Sequence, residues 1–221
     1  MRIGRRITSL CTLTAAAACL TAALAPGTPA RTVDGPAANA AACGEQTRFK
    51  ARKDLPGRAP FVVGDSMLLG AAEEVAELGF ALDVRICRPM SEGLDLLRAQ
   101  RRAKKLPKIV VVGLGSNAPL QRSELSAALR IVGPQRTLGL VTQFEYTGRA
   151  GIGAKLMRQT AACQPDRTVL IDWVRYAKRH PGMTYDDNIH LTPEGQEAVA
   201  RLFRKALPDR LAQRDIPEPR C

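Results

Sequence analysis

From Ala59 onward, apolar residues follow two rhythms that alternate along the chain. Short apolar runs occur at Ala59–Gly64 (APFVVG), Phe80–Cys87 (FALDVRIC), Lys108–Gly113 (KIVVVG), Thr137–Gln143 (TLGLVTQ) and Thr168–Trp173 (TVLIDW), each of strand length. Between and after them, apolar positions recur at helical spacing over Met67–Leu78, Ser91–Lys105, Ser123–Val132, Ile152–Ala162 and Pro193–Leu207. The breakers agree with this division. Gly79 suits a helix C-terminus, Pro107 stops the second helix, and Gly133-Pro134 closes the third. At the last helix Thr192 suits the cap, Pro193 the first turn and Glu194 the positive end of the dipole. The unbroken KIVVVG run reads as a central strand buried on both faces. Five strands separated by helices predict a three-layer α/β/α sandwich with a five-stranded parallel sheet and right-handed crossovers. In such a sheet, a ligand site belongs at the carboxyl ends of the strands.

The first segment of the chain has another character. Arg2, Arg5 and Arg6 precede a mostly apolar stretch from Ile7 to Ala25, interrupted by Thr8, Ser9, Thr12 and Thr14. This is the pattern of a secretory signal and a weak one for a spanning helix. Residues 1–30 are assigned to a signal peptide, 31–58 to a linker and N-terminal extension rich in Ala, Pro, Gly and Thr, and 59–221 to the folded domain. No stable membrane span is expected after signal cleavage.

Export changes the reading of the cysteines. Cys11 and Cys19 fall in the signal, leaving Cys43, Cys87, Cys163 and Cys221, an even number that favours two disulfides. Three pairings exist. The element order sets Cys87 near a carboxyl strand end and Cys163 at the opposite end, which favours Cys43–Cys87 and Cys163–Cys221. The formal net charge is +12, and loss of residues 1–40 removes four Arg and one Asp to leave +9. Outside a cell, such a protein would be drawn to anionic wall polymers, headgroups or acidic glycans. Nucleic acid is not supported, because neither an RNA-binding Gly/aromatic motif nor a helix-turn-helix signature is present. The densest basic run, Arg98–Lys105, follows Leu94, Leu96 and Leu97 on a helix and reads as a solvated outer face.

Three polar groups fall at strand ends. Gly64-Asp65-Ser66 lies between the first strand and first helix, where a serine projects at the sheet edge beside helix-start amides. The plainer reading is that Asp65 or Ser66 is an ordinary helix cap. Gly113-Leu114-Gly115-Ser116-Asn117 follows the third strand and offers an amide donor to a developing negative charge, although Gly-Ser-Asn is also common turn chemistry. Asp186-Asp187-Asn188-Ile189-His190 precedes the last helix. An Asp three residues before a His can hold one ring nitrogen and leave the other to take a serine proton. Metal binding by Asp186, Asp187 and His190 is the rival reading, unsupported by a second His or Cys. His180 is assigned to a surface loop, and Trp173 to core or rim packing rather than to a pocket.

Taken in order, Gly64-Asp65-Ser66, Gly93, Gly115-x-Asn117 and Asp187-x-x-His190 resemble the SGNH (GDSL-type) hydrolase family, over Ala59 to Leu207. Within it, GDSMLLGA, RPMSEGLDLL, VVGLGSNAP and DDNIHLTPEG look most like the extracellular domain of OatA-type peptidoglycan O-acetyltransferases, without the multi-pass membrane acyltransferase that usually accompanies that domain. The resemblance implies a flavodoxin-like fold, a catalytic triad of Ser66, Asp187 and His190, and an oxyanion hole from the Ser66 N–H, the Asn117 side chain and the Gly93 N–H. It implies no cofactor and no metal. The expected activity is a secreted or wall-associated serine esterase acting on an acylated carbohydrate or other small ester. An O-acetyltransferase using a separate acyl donor runs through the same acyl-serine. A non-catalytic basic wall-binding protein is the third reading.

Overall fold

The computed structural model describes residues 43–54 and 57–207. The expected signal and Cys221 lie outside these described residues. Among the described residues, six strands form one sheet: β1 (Thr47–Phe49), β2 (Phe61–Gly64), β3 (Ala81–Val84), β4 (Ile109–Gly113), β5 (Thr137–Val141) and β6 (Thr168–Ile171). Their order is β1-β3-β2-β4-β5-β6, and all neighbours run parallel except β1 against β3. The five expected strands are therefore the parallel ones, in the flavodoxin-like order. The sixth arises in the stretch read as linker, where Thr47–Phe49 pairs antiparallel with Val84–Leu82.

Among the described residues, seven helices connect and cover the strands: α1 (Ser66–Gly70), α2 (Ala72–Glu77), α3 (Met90–Arg102), α4 (Arg122–Val132), α5 (Ile152–Cys163), α6 (Trp173–Arg179) and α7 (Pro193–Ala206). Alternate strand residues feed two cores, one on each face. Val62, Val111, Val141 and Ile171 pack with α1, α2 and α7. Val63, Val110, Val112 and Leu140 pack beneath α3 and α4. That two-sided burial is why β4 is apolar throughout.

The helices differ from expectation in two places. Met67–Leu78 is not one helix but two, broken at Ala71 after Gly70, a poor helix former. Trp173 does not end a strand but opens α6, because the Asp172 side chain accepts the Arg175 N–H at 3.2 Å and caps a new helix. Trp173 is wholly buried and stacks on Tyr176. His180 caps the far end of α6, with its ring against Tyr176 and its Nδ1 2.9 Å from the Tyr176 carbonyl.

Cys43 and Cys87 form the expected disulfide, which ties the approach to β1 to the end of β3 across 44 residues of sequence. Cys163 is exposed at the end of α5. Closing a loop of that size restricts the unfolded chain, so Cys87→Ser should lower the stability of the oxidised domain by about 2–4 kcal/mol. Urea denaturation measures this, and an unchanged midpoint would show that the crosslink contributes nothing. Among the described residues, no helix is long and apolar enough to cross a membrane.

Candidate active site

The ends of β2 and β4 lie side by side, with Gly64 in register with Gly113. Crossovers leave these two strands in opposite directions, which opens a crevice at the point where the strand order reverses. Ser66 follows β2 at the first position of α1, where a backbone N–H has no acceptor within its own helix. Asp65 caps the same helix through the Met67 N–H at 3.2 Å, so the plain capping reading of the motif also holds. Gly115 has φ +135°, which lets the chain turn sharply from β4 into Ser116-Asn117.

The third polar group forms a tight loop closed by the bridge between Thr184 and Leu191. Asn188 sits at its tip with φ +57°, a left-handed conformation that Asn tolerates better than most side chains. The Asp187 carboxylate accepts the backbone N–H of Ile189 at 2.8 Å and of His190 at 2.9 Å through one oxygen. Its other oxygen lies 2.5 Å from His190 Nδ1. Partial burial pulls the Asp187 pKa upward. The Ile189 N–H, the His190 ring and the His190 N–H together outweigh this and hold the carboxyl below the usual carboxylate range. Directly after the loop, Thr192 caps α7 by accepting the Gly195 N–H and donates its own hydroxyl to the Gly182 carbonyl. Gly195 lies so close to the Met183 carbonyl that a side chain there would collide with it. The helix start therefore fixes the loop.

These pieces converge. His190 Nε2 lies 3.1 Å from Ser66 Oγ, although 124 residues separate the two in sequence. A continuous chain thus runs from Ser66 through His190 to Asp187, half-exposed at the strand ends. Asn117 Nδ2 lies nearby, donating to Ser116 Oγ at 3.1 Å and to Asp65 Oδ2 at 3.3 Å. A cleft of about 580 Å³ borders the His190 loop, lined in part by Phe144, Gly148, Met183, Tyr185, Asp186 and Asn188.

Gly93 requires a correction. It lies inside α3, and its N–H donates to the Pro89 carbonyl at 3.3 Å as part of that helix. Its Cα faces the core, where an added Cβ would stand 2.2 Å from Leu114 Cδ1. Close packing, not a free amide, accounts for glycine at this position. Sequence reasoning also missed residues that support the site. Ser116 and Gln143 are buried and hydrogen-bonded to Asp65. Gly148, with φ +69°, brings the 144–151 segment against the Asp187 carbonyl, where a Cβ would come within 2.6 Å. A polar Gln ending an apolar strand was the one signal available for this group.

The architecture is that of the SGNH hydrolases. No family model matches the chain. Among solved structures, it is similar to the C-terminal catalytic domain of peptidoglycan O-acetyltransferase A (OatA) from Streptococcus pneumoniae, solved with a methylsulfonyl adduct. That match has a TM-score of 0.61 at 20% identity and covers 73% of this chain and 98% of that one. A family 3 carbohydrate esterase from Clostridium thermocellum superposes with a TM-score of 0.56 at 12% identity, covering 71% of this chain and 98% of the esterase. In sequence, the chain is 24% identical over 147 residues to "Putative peptidoglycan O-acetyltransferase YrhL" from Bacillus subtilis (strain 168). That alignment takes in 66% of this chain, and the chain spans 23% of the length of that relative.

Proposed function

We propose that the protein is an exported serine esterase that removes small acyl groups, above all O-acetyl, from carbohydrate of the cell-wall type. The observation that carries this reading is the unbroken contact from Ser66 Oγ to His190 Nε2 and from His190 Nδ1 to Asp187. In the reaction, Ser66 Oγ attacks the ester carbonyl and passes its proton to His190 Nε2. Asp187 holds the ring in the required tautomer and stabilises its protonated form. The oxygen that becomes negative accepts the Ser66 N–H and the second hydrogen of the Asn117 amide. Collapse expels the alcohol, which takes the proton back from His190 and leaves acyl-Ser66. Water, deprotonated by His190, then releases the acid and restores the serine.

Support for a short acyl group on a sugar comes from the likeness to the OatA domain and to the carbohydrate esterase. Acetate release from O-acetylated peptidoglycan, and p-nitrophenyl esters of increasing chain length, test it directly. Turnover that rises with chain length would reject the acetyl reading. Asn117→Ala should lose about 10²–10³ in kcat with its fold intact. Normal turnover in this variant would remove Asn117 from the site.

The names of OatA and YrhL favour a second reading, in which a sugar hydroxyl replaces water in the last step. Supplying donor ester with an acceptor oligosaccharide separates the two. Acetylated acceptor as the main product supports transfer, and free acetate supports hydrolysis. The basic balance of the chain and the signal-like first segment support export and association with anionic wall polymers.

A further inference from the structure

We infer that Asp65, Ser116 and Gln143 form a buried clasp that holds the Asn117 amide in its donating orientation, which makes Asp65 and Gln143 positioning residues for the reaction proposed above. The inference rests on that reading of the site. The three residues come from the carboxyl ends of three adjacent strands, since Asp65 follows β2, Ser116 follows β4 and Gln143 follows β5. Asp65 has no exposed surface. One of its oxygens accepts the Met67 N–H at 3.2 Å and Gln143 Nε2 at 3.0 Å. The other accepts Ser116 Oγ at 2.7 Å and Asn117 Nδ2 at 3.3 Å. Gln143, 3% exposed, completes the ring by accepting the Ser116 N–H on Oε1 at 3.1 Å.

A helix cap alone does not account for this arrangement. Capping Met67 requires one oxygen on an exposed side chain, whereas a wholly buried carboxylate is costly unless donors surround it. Burial raises the Asp65 pKa, and the bonds from Ser116, Met67 and Gln143 pull it back, leaving it at about 6. The carboxyl is therefore ionised at neutral pH and accepts only. An acceptor-only group turns the NH₂ end of Asn117 towards itself. Asn117 Nδ2 donates to both Asp65 Oδ2 and Ser116 Oγ. Because these acceptors lie only 2.7 Å from each other, one amide hydrogen can serve both, which fixes the plane of the group and leaves the second hydrogen for the oxyanion. Through Met67, the same carboxylate anchors the helix that carries Ser66. The nucleophile and the oxyanion donor thus share one buried anchor.

Asp65→Asn keeps the shape but places an NH₂ group among donors. Its kcat on p-nitrophenyl acetate should fall about 10–100-fold with KM changed by less than about threefold, since the lost interaction belongs to the transition state. In an Asn117→Ala background, the same substitution should cost less than about twofold, because its amide oxygen can still accept the Met67 N–H that anchors the Ser66 helix and the donor it positions is already gone. Ser116→Ala, a milder change, should show the same non-additivity and decides the matter if Asp65→Asn fails to fold. The Asn117 side-chain amide signals in NMR provide a readout independent of turnover. They should be sharp and slow to exchange in the wild type and lose that protection in Asp65→Asn or Ser116→Ala. Fully additive losses, unchanged kcat in the folded variants, or unchanged amide protection would overturn the inference. If the wild type hydrolyses no ester, the proposed function fails, while the amide signals still decide whether the clasp orders Asn117.

Discussion

Replacing Ser66 with Ala should lower kcat on p-nitrophenyl acetate by about 10⁴-fold or more while leaving the melting temperature close to that of the wild type. The effect on rate is large because, in the proposed reaction, the hydroxyl that becomes acylated is the one hydrogen-bonded to His190 Nε2 at 3.1 Å. The effect on stability is small because Ser66 is only half-buried and its helix is capped by Asp65, not by its own side chain. Combining Ser66→Ala with His190→Ala should cost little beyond the first change, since the two act as one unit. Residual activity within about tenfold of wild type would move the nucleophile elsewhere.

The second large effect is on stability. Arg88 is buried beneath the site, with its guanidinium 2.7 Å from Asp83 Oδ1 and bonded to the Asp83 and Gly64 carbonyls. Both side chains are almost wholly buried, at 4% and 1% exposure, so removing one leaves a charge in a poor solvent. Arg88→Met should therefore destabilise the domain by about 3 kcal/mol, the low end for a broken buried pair, because Gln46 and the exposed Arg48 still reach Asp83. Arg88→Met combined with Asp83→Leu should be less destabilising than Arg88→Met alone, because no unpaired charge remains. Urea denaturation of the single and double variants checks both statements. A loss below about 1 kcal/mol for Arg88→Met would show that the pair is better solvated than its burial implies.

Much of the scaffold was legible because it follows from local pattern. Each parallel strand is an apolar run, and Thr192-Pro193-Glu194 announces α7 by its cap, first turn and dipole. The Asp187-to-His190 spacing was equally readable, since a turn of that length lets one carboxylate accept two backbone amides and a ring nitrogen. Other features depend on contacts that local pattern does not encode. Strand β1 has only three residues, two of them polar, and it exists because β3, the Cys43–Cys87 bridge and the Asp83 contacts with Gln46 and Arg48 hold it. Helix α6 was hidden because TVLIDW reads as one apolar run, although Asp172 caps a new element inside it. Gly93 matched a family block by order, but its amide is used within α3. The Asp65 clasp joins residues 51 and 78 positions apart, beyond the reach of any periodicity.

Trapping the acyl-enzyme shows directly whether Ser66 is the nucleophile. The wild-type domain would be mixed with p-nitrophenyl acetate, quenched in acid within the first turnovers and digested for mass spectrometry. The peptide containing Ser66 should gain the mass of one acetyl group, absent from Ser66→Ala and accumulating with an initial burst of p-nitrophenol. Ester turnover with no acetyl on that peptide, or with acetyl on another residue, would contradict that role for Ser66.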